Sequence, residues 1–200
     1  TLYNTYNFFA MYANIDGFQY KEADVPYEKR PEIDRWILSE LNTLVKHCDE
    51  NYADYEPTKV GREIQDFVDA YLSNWYVRRC RDRYWAKGME QDKINAYMTL
   101  YTALVTVAKA AAPMIPFMAE SIYQNLVVSV DKTAPESIHL CDFPTVNEKM
   151  IDKDLEEKMD EVLKIVVMGR AARNAANVKN RQPISRMLKA YVTIHFLRLG

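Results

Sequence analysis

The sequence predicts an all-α protein, a bundle of about five to six helices, with one C-terminal strand from a truncated following domain. Three observations lead there. Apolar residues recur at gaps of three and four along most of the chain, which is the period of an amphipathic helix. Gly17, Pro31, Pro57, Gly88, Pro113 and Pro116 fall at the edges of these periodic segments, where helices start and stop. Alternation with a period of two, the mark of a half-buried strand, is clear at Leu188, Ala190, Val192, Ile194 and Phe196. One strand is not stable alone, so it belongs to a second domain.

The first helix, residues 2–15, is apolar almost all round. Leu2, Tyr6 and Phe9 face one way, while Phe8, Met11 and Tyr12 cover the other sides, so more than one side needs cover. Asp16 to Lys29 reads as a loop. Arg30-Pro31-Glu32 opens a helix whose stripe is Ile33, Trp36, Ile37, Leu41, Leu44, Val45, Cys48 and Tyr52. Glu56-Pro57-Thr58 opens the next, which carries Val60, Ile64, Phe67, Val68, Tyr71, Leu72 and Trp75 and ends at Gly88. Asp92 begins a fourth helix, stopped by Pro113 and Pro116. A short helix spans about Pro116 to Leu126. Residues 128–148 read as a connection with an extended piece at Ser137–Leu140. The last helix, about Asp152 to Ala176, is acidic first and basic later, an order that complements its dipole. The domain division is 1–148 for the bundle, and 149–200 for the long charged helix and the start of the truncated α/β domain.

The densest chemistry lies in Leu72–Trp85, where Arg78, Arg79, Arg81 and Arg83 fall within six residues, interleaved with Trp75, Tyr76, Tyr84 and Trp85. At about 100° per residue, Arg78, Arg79 and Asp82 continue the apolar stripe, and Arg81 and Arg83 point to either side. Two readings fit. Asp82 pairs with Arg78 or Arg79 along the helix, or the guanidinium groups hold phosphates while the rings stack on bases. Both hold together if Arg78 and Arg79 are structural and Arg81 and Arg83 face outward.

The net charge of −2 hides an asymmetry. From Gly169 to Gly200 there are seven Lys or Arg and no acid, so the other 168 residues carry 19 basic against 28 acidic groups. That pattern excludes a general nucleic-acid coat and favours one directed contact. Three scattered cysteines, with no C-x-x-C, fit a reducing, cytoplasmic setting and form no disulfide framework. The three histidines have no metal-ligand spacing. No apolar run is long enough to cross a membrane, and the first residues lack a signal-peptide pattern. No phosphate-binding glycine loop, H-E-x-x-H or G-x-S-x-G occurs, so no residue is a catalytic candidate and no metal or cofactor is expected in this chain. Glu120, on an apolar helix, reads as a buried acid satisfied by a Tyr, an Arg or a helix end.

Five segments carry a family resemblance: Tyr12–Phe18, Asp34–Ser39, Leu72–Arg79, Ala112–Glu120 and Lys179–Ile184. The Ala-Pro-x-x-Pro-Phe-x-x-Glu pattern at 112–120 resembles the valyl, leucyl and isoleucyl group of class I aminoacyl-tRNA synthetases. Asn74-Trp75-Tyr76 with its arginines, and Lys-x-Arg-Gln-Pro at 179–183, resemble the isoleucyl branch and its anticodon-binding region. The resemblance runs from about residue 1 to 190. It implies a helical bundle that follows a Rossmann catalytic domain and docks on the anticodon stem-loop of the tRNA for isoleucine. The family's His-Ile-Gly-His and Lys-Met-Ser-Lys-Ser signatures are absent, so ATP and magnesium belong to the catalytic domain of the parent chain, on which the first helix would also pack. The RNA-binding candidates are Arg81, Arg83 and Trp85 with a second basic set, Arg170, Arg173, Lys179, Arg181, Gln182 and Arg186. Trp75, Arg78, Arg79, Asp82 and Glu120 form the structural cluster. The alternative is a helical protein–protein scaffold that binds no RNA.

Overall fold

The computed structural model describes residues 1–20, 26–179 and 181–183. The chain forms two compact units, Thr1–Lys153 and a second that begins at Asp154. Seven α-helices occur among the described residues: α1 (Leu2–Asp16), α2 (Glu32–Ala53), α3 (Pro57–Asp66), α4 (Arg81–Trp85), α5 (Gln91–Ala111), α6 (Pro116–Tyr123) and α7 (Lys153–Ala175). The expected all-α bundle is present, with one helix more because the arginine-bearing helix is two. The strand read at Leu188–Phe196 lies outside the described residues.

Helix ends follow local chemistry. Gly17 caps α1 at φ 65°, its N–H donating to the Ala13 carbonyl, a left-handed conformation that glycine adopts without strain. Pro31 precedes α2, and Pro57 and Pro116 open α3 and α6, where a missing N–H is harmless. The core lies among α2, α3 and α5, with α1 and α4 packed on α5. It is rich in tyrosine. Tyr76, Tyr84, Tyr97 and Tyr123 are almost fully buried, and each hydroxyl donates to a partner. Tyr76 reaches Asp34 at 2.8 Å, Tyr84 the Ala96 carbonyl at 3.0 Å and Tyr123 the Pro135 carbonyl at 3.0 Å. Tyr97 donates to Asp16. Burial without those partners would cost more than the rings contribute.

Three expectations are corrected. The first concerns the arginine helix. After Asp66 the backbone widens to π-helical pitch over Phe67–Val77, and Cys80 leaves helical geometry at φ −89°, ψ 3°. Hydrogen bonds from i to i+5 put more residues in each turn, so the phase counted at 100° per residue drifts. Tyr76, Val77, Cys80 and Tyr84 face the core, whereas Trp75 is only half-buried and Arg78, Arg79 and Asp82 are exposed. The helix ends at Trp85, and Gly88 lies beyond it at φ 78°.

The second concerns Ser137–Leu140, which is not extended. Ile138–Leu140 is a single 3-10 turn, because side chains take its amides. The Glu120 carboxylate accepts from the Ile138 N–H and the Ser137 hydroxyl, both at 2.9 Å, and from Gln124 at 2.7 Å. Desolvation opposes Glu120 ionisation, but these hydrogen bonds, with His139 nearby, outweigh it and hold the carboxyl below its ordinary value. Its partners are therefore an amide, a hydroxyl and the first N–H of the 3-10 turn, so of the expected Tyr, Arg or helix end only the helix end is found.

The third concerns the connection before α7, which is a docked strap. It crosses the polar side of α2, where Ser39 accepts from the Asp152 N–H and Asn42 from the Asn147 N–H, each at 2.8 Å. Lys46 pairs with Glu148 at 3.1 Å, and the Tyr27 hydroxyl donates to the Met150 carbonyl at 3.1 Å. The α2 helix is therefore buried nearly all round from Trp36 to Asn42, rather than along one stripe.

Candidate nucleic-acid interface

The interface starts with Arg78 and Arg79, just before the break at Cys80, and with what α4 presents after it. Arg78, Arg79 and Arg81 are exposed, and no carboxylate among the described residues pairs with them. Arg79 lies 5.6 Å from the centre of the Trp75 ring, a cation–π distance. Asp82 is also exposed, and it makes no ion pair with its neighbours among the described residues. Trp85 is 54 % exposed. Its indole N–H donates to the Tyr12 hydroxyl at 2.8 Å, so the ring is held at one edge while its surface stays open. Tyr12 in turn packs on Phe8, and Phe8 meets the buried Tyr84 edge to face. The face combines cationic groups able to bind phosphate with a fixed aromatic plane.

Arg83 does not share that face, and its expected outward position is corrected. Its side chain is 15 % exposed. Nη1 donates to Asp34 at 2.6 Å and to the Cys80 sulfur at 3.6 Å. Nη2 donates to Asp34 at 2.8 Å and to the Asp92 carbonyl at 2.9 Å, and Nε donates to the Asp92 carboxylate at 2.9 Å. A guanidinium has five N–H donors, and all five are engaged. Burial opposes the charge, but the two carboxylates raise the Arg83 pKa above its ordinary value. Cys80 beneath it is pushed up to about 11, chiefly by burial.

A second ion pair anchors the end of α4 from below. Lys93 is 3 % exposed, contacts Asp16 at 2.6 Å and donates to the Ala86 carbonyl at 2.9 Å. Elsewhere on this unit, Glu40, His47, Glu63 and Asp66 line a cleft of about 350 Å³. Its acidic lining would repel phosphate. Among the described residues no group of His, Cys, Asp and Glu could hold a metal ion, and no helix is long and apolar enough to cross a membrane.

In the second unit, Arg170, Lys179, Arg181 and Gln182 are exposed. Arg173 is half-buried, and its Nη1 donates to the carbonyls of Lys179 at 3.1 Å and Gln182 at 2.8 Å. It thus ties the basic loop to the end of α7 while keeping its charge unneutralised. Arg186 lies outside the described residues.

The sequence model of one family, described as the anticodon-binding domain of tRNA ligase, matches residues 34–189. The chain belongs to this family. As an anticodon-binding domain it is similar to curated proteins named isoleucine–tRNA ligase. The one from Bacteroides fragilis (strain YCH46) is 56% identical over 184 residues, which is 92% of this chain and 16% of the relative. That of Clostridium novyi is 52% identical over 191 residues, 94% of this chain and 18% of the relative. That of Dehalococcoides mccartyi is 52% identical over 184 residues, 92% and 18% respectively. The chain therefore spans less than a fifth of the length of these relatives. The match covers Arg81, Trp85 and the second basic set, and also Asp34, Asp92 and Lys93, of which the sequence reading gave Asp34 only as part of a family segment, Asp92 only as a helix start and Lys93 not at all. A signal for Asp34 was available: it is an acid two residues before Trp36, within the family-carrying segment Asp34–Ser39.

Proposed function

We propose that this domain binds the anticodon stem-loop of the tRNA for isoleucine, within a parent enzyme that joins isoleucine to that tRNA using ATP and magnesium in a catalytic domain elsewhere in its chain. The observation that carries the reading is on α4, where Arg81, exposed and with no carboxylate partner among the described residues, lies one helical turn from Trp85, a tryptophan whose edge is pinned. Arg81 and Trp85 are the central contacts, for phosphate and for an unstacked base respectively. Arg78 and Arg79 extend the cationic strip. Arg170, Arg173, Lys179, Arg181, Gln182 and Arg186 follow the stem backbone. The relatives' names support the isoleucine assignment, and the reducing, cytoplasmic setting read from the cysteines accords with it.

A second reading has one observation behind it. Tyr3, Met11 and Ile15 form an exposed apolar line along α1. In the parent enzyme that line would meet the catalytic domain, and in a scaffold it would meet another protein.

The test is binding of this chain to an isoleucine anticodon stem-loop and to one with a swapped anticodon, at two salt concentrations. Phosphate contacts give affinity that falls steeply with salt, which an apolar protein interface does not. We expect salt-sensitive binding in the range of about micromolar or weaker, with preference for the isoleucine loop. Absence of binding at both salt concentrations would sink the reading for this chain.

A further inference from the structure

We propose that the Asp34–Arg83–Asp92 ion-pair hub is a positioning device, which holds α4 in the one orientation that presents Arg81 and Trp85 to RNA and does not itself touch RNA. The proposal rests on the RNA-binding reading above and assigns the work within it.

The starting point is that α4 has only five residues and no side-chain cap at its start. A helix of that length is unstable alone, since nucleation is unfavourable and only about one turn is formed. Cys80, just before it, is out of helical geometry, and Ala86, just after it, is extended at ψ 144°. Backbone bonds link Cys80 to Tyr76 and Arg83 to Cys80, but with the helix interrupted on both sides, side-chain anchors complete its orientation. Tyr84 is one, buried against α5 with its hydroxyl on the Ala96 carbonyl. A single buried residue fixes depth but leaves rotation about its own axis. Lys93 holds the Ala86 carbonyl and Trp85 donates to Tyr12, each through one bond that fixes distance and not angle; Arg83 supplies the constraint on angle. Its planar fork is bidentate to Asp34 on α2 and reaches Asp92 on α5, and such a fork constrains angle as well as distance. Arg81 and Trp85 stand two residues to either side of it, so a turn of α4 would move both together.

The donor inventory separates this role from direct contact. All five Arg83 donors are used inside the protein, so a phosphate could be held only by breaking the hub. Asp34 is 0 % exposed and so could not be left unpaired without large cost. Asp92 is different. Its side chain is 56 % exposed, so it can be altered without burying a charge.

The test uses Asp92→Asn and Arg83→Lys in the whole chain labelled with 5-fluorotryptophan. The three tryptophans give three fluorine resonances, assigned by Trp→Phe variants. RNA affinity is measured with the isoleucine anticodon stem-loop. We expect Asp92→Asn to shift or broaden the Trp85 resonance, to leave that of the buried Trp36 in place, and to weaken RNA binding by about tenfold or more, the scale of one lost charge-assisted bond. This runs against simple electrostatics, in which removing a negative charge strengthens binding. Arg83→Lys keeps the charge, loses the fork and should behave alike. Binding by Asp92→Asn that equals or exceeds wild type, with the Trp85 resonance unmoved, overturns the proposal. So does loss of the Trp36 resonance position in Asp92→Asn, which would make the hub a determinant of the whole bundle and not of α4. If the wild type binds no RNA, the functional reading fails by itself, and the Trp85 resonance still decides whether the hub orients α4.

Discussion

At Asp34 a carboxylate with no solvent exposure accepts from the Tyr76 hydroxyl and from both terminal nitrogens of Arg83. A buried ion pair adds little net stability over an apolar pair, but removing one partner strands the other. Asp34→Ala should therefore destabilise the bundle by about 3–5 kcal/mol, read as a lower urea midpoint at unchanged slope. An effect below about 1 kcal/mol would mean that water replaces the carboxylate and that Arg83 is less enclosed than its geometry implies. The pairing shows where residue-level reading of the sequence ends. Arg83 and Asp34 are 49 positions apart, and nothing near either residue announces the other. The local alternative, Asp82 with Arg78 or Arg79, was legible from spacing and does not form: all three are exposed, and none makes an ion pair among the described residues. Arg81 was placed outward and is so, whereas Arg83, read the same way, is turned inward, because the widened turns rotate every residue after Phe67.

At the scale of elements, α1, α2, α5 and α7 were legible to within a residue or two at most ends, because proline, Gly17 and the helical period are local signals. Past Phe67 the period itself changes. The π-helical stretch turns the face of every residue after it, and apolar spacing alone does not distinguish a tighter helix from a wider one. The strap was missed for another reason. Residues 141–152 have no periodicity, and the α2 side chains that hold the strap are a serine and an asparagine, which read as a solvent face. Asn42 receives the Asn147 N–H and donates to the Leu38 carbonyl. Asn42→Ala should cost about 1 kcal/mol and speed hydrogen exchange at the Asn147 amide far more than at α5 amides. Equal protection at Asn147 in the variant would show that the strap is held from elsewhere.

Over the whole molecule, charge is distributed unevenly, with a −2 total composed of an acidic body and a basic C-terminal stretch. Binding through the α4 face should then show a salt dependence that single substitutions resolve. Arg81→Ala should lower the slope of log affinity against log salt by about 0.7–0.9, one phosphate contact, with little change in melting temperature. Arg83→Lys should leave that slope nearly unchanged while affinity falls. A slope unaffected by Arg81→Ala would remove Arg81 from the RNA contact. The strap also has a consequence in time. Ser39 must wait for the Asp152 amide, 113 residues later, and Asn42 for Asn147, 105 residues later. On a ribosome adding about 5–20 residues per second, that is a delay of roughly 5–23 s. During it α2 exists with one polar side unclaimed, and the nascent bundle is open along that seam. Pausing between residues 53 and 147 would prolong the open state, and a chaperone that reaches α2 before the strap does would meet the protein at its most accessible moment.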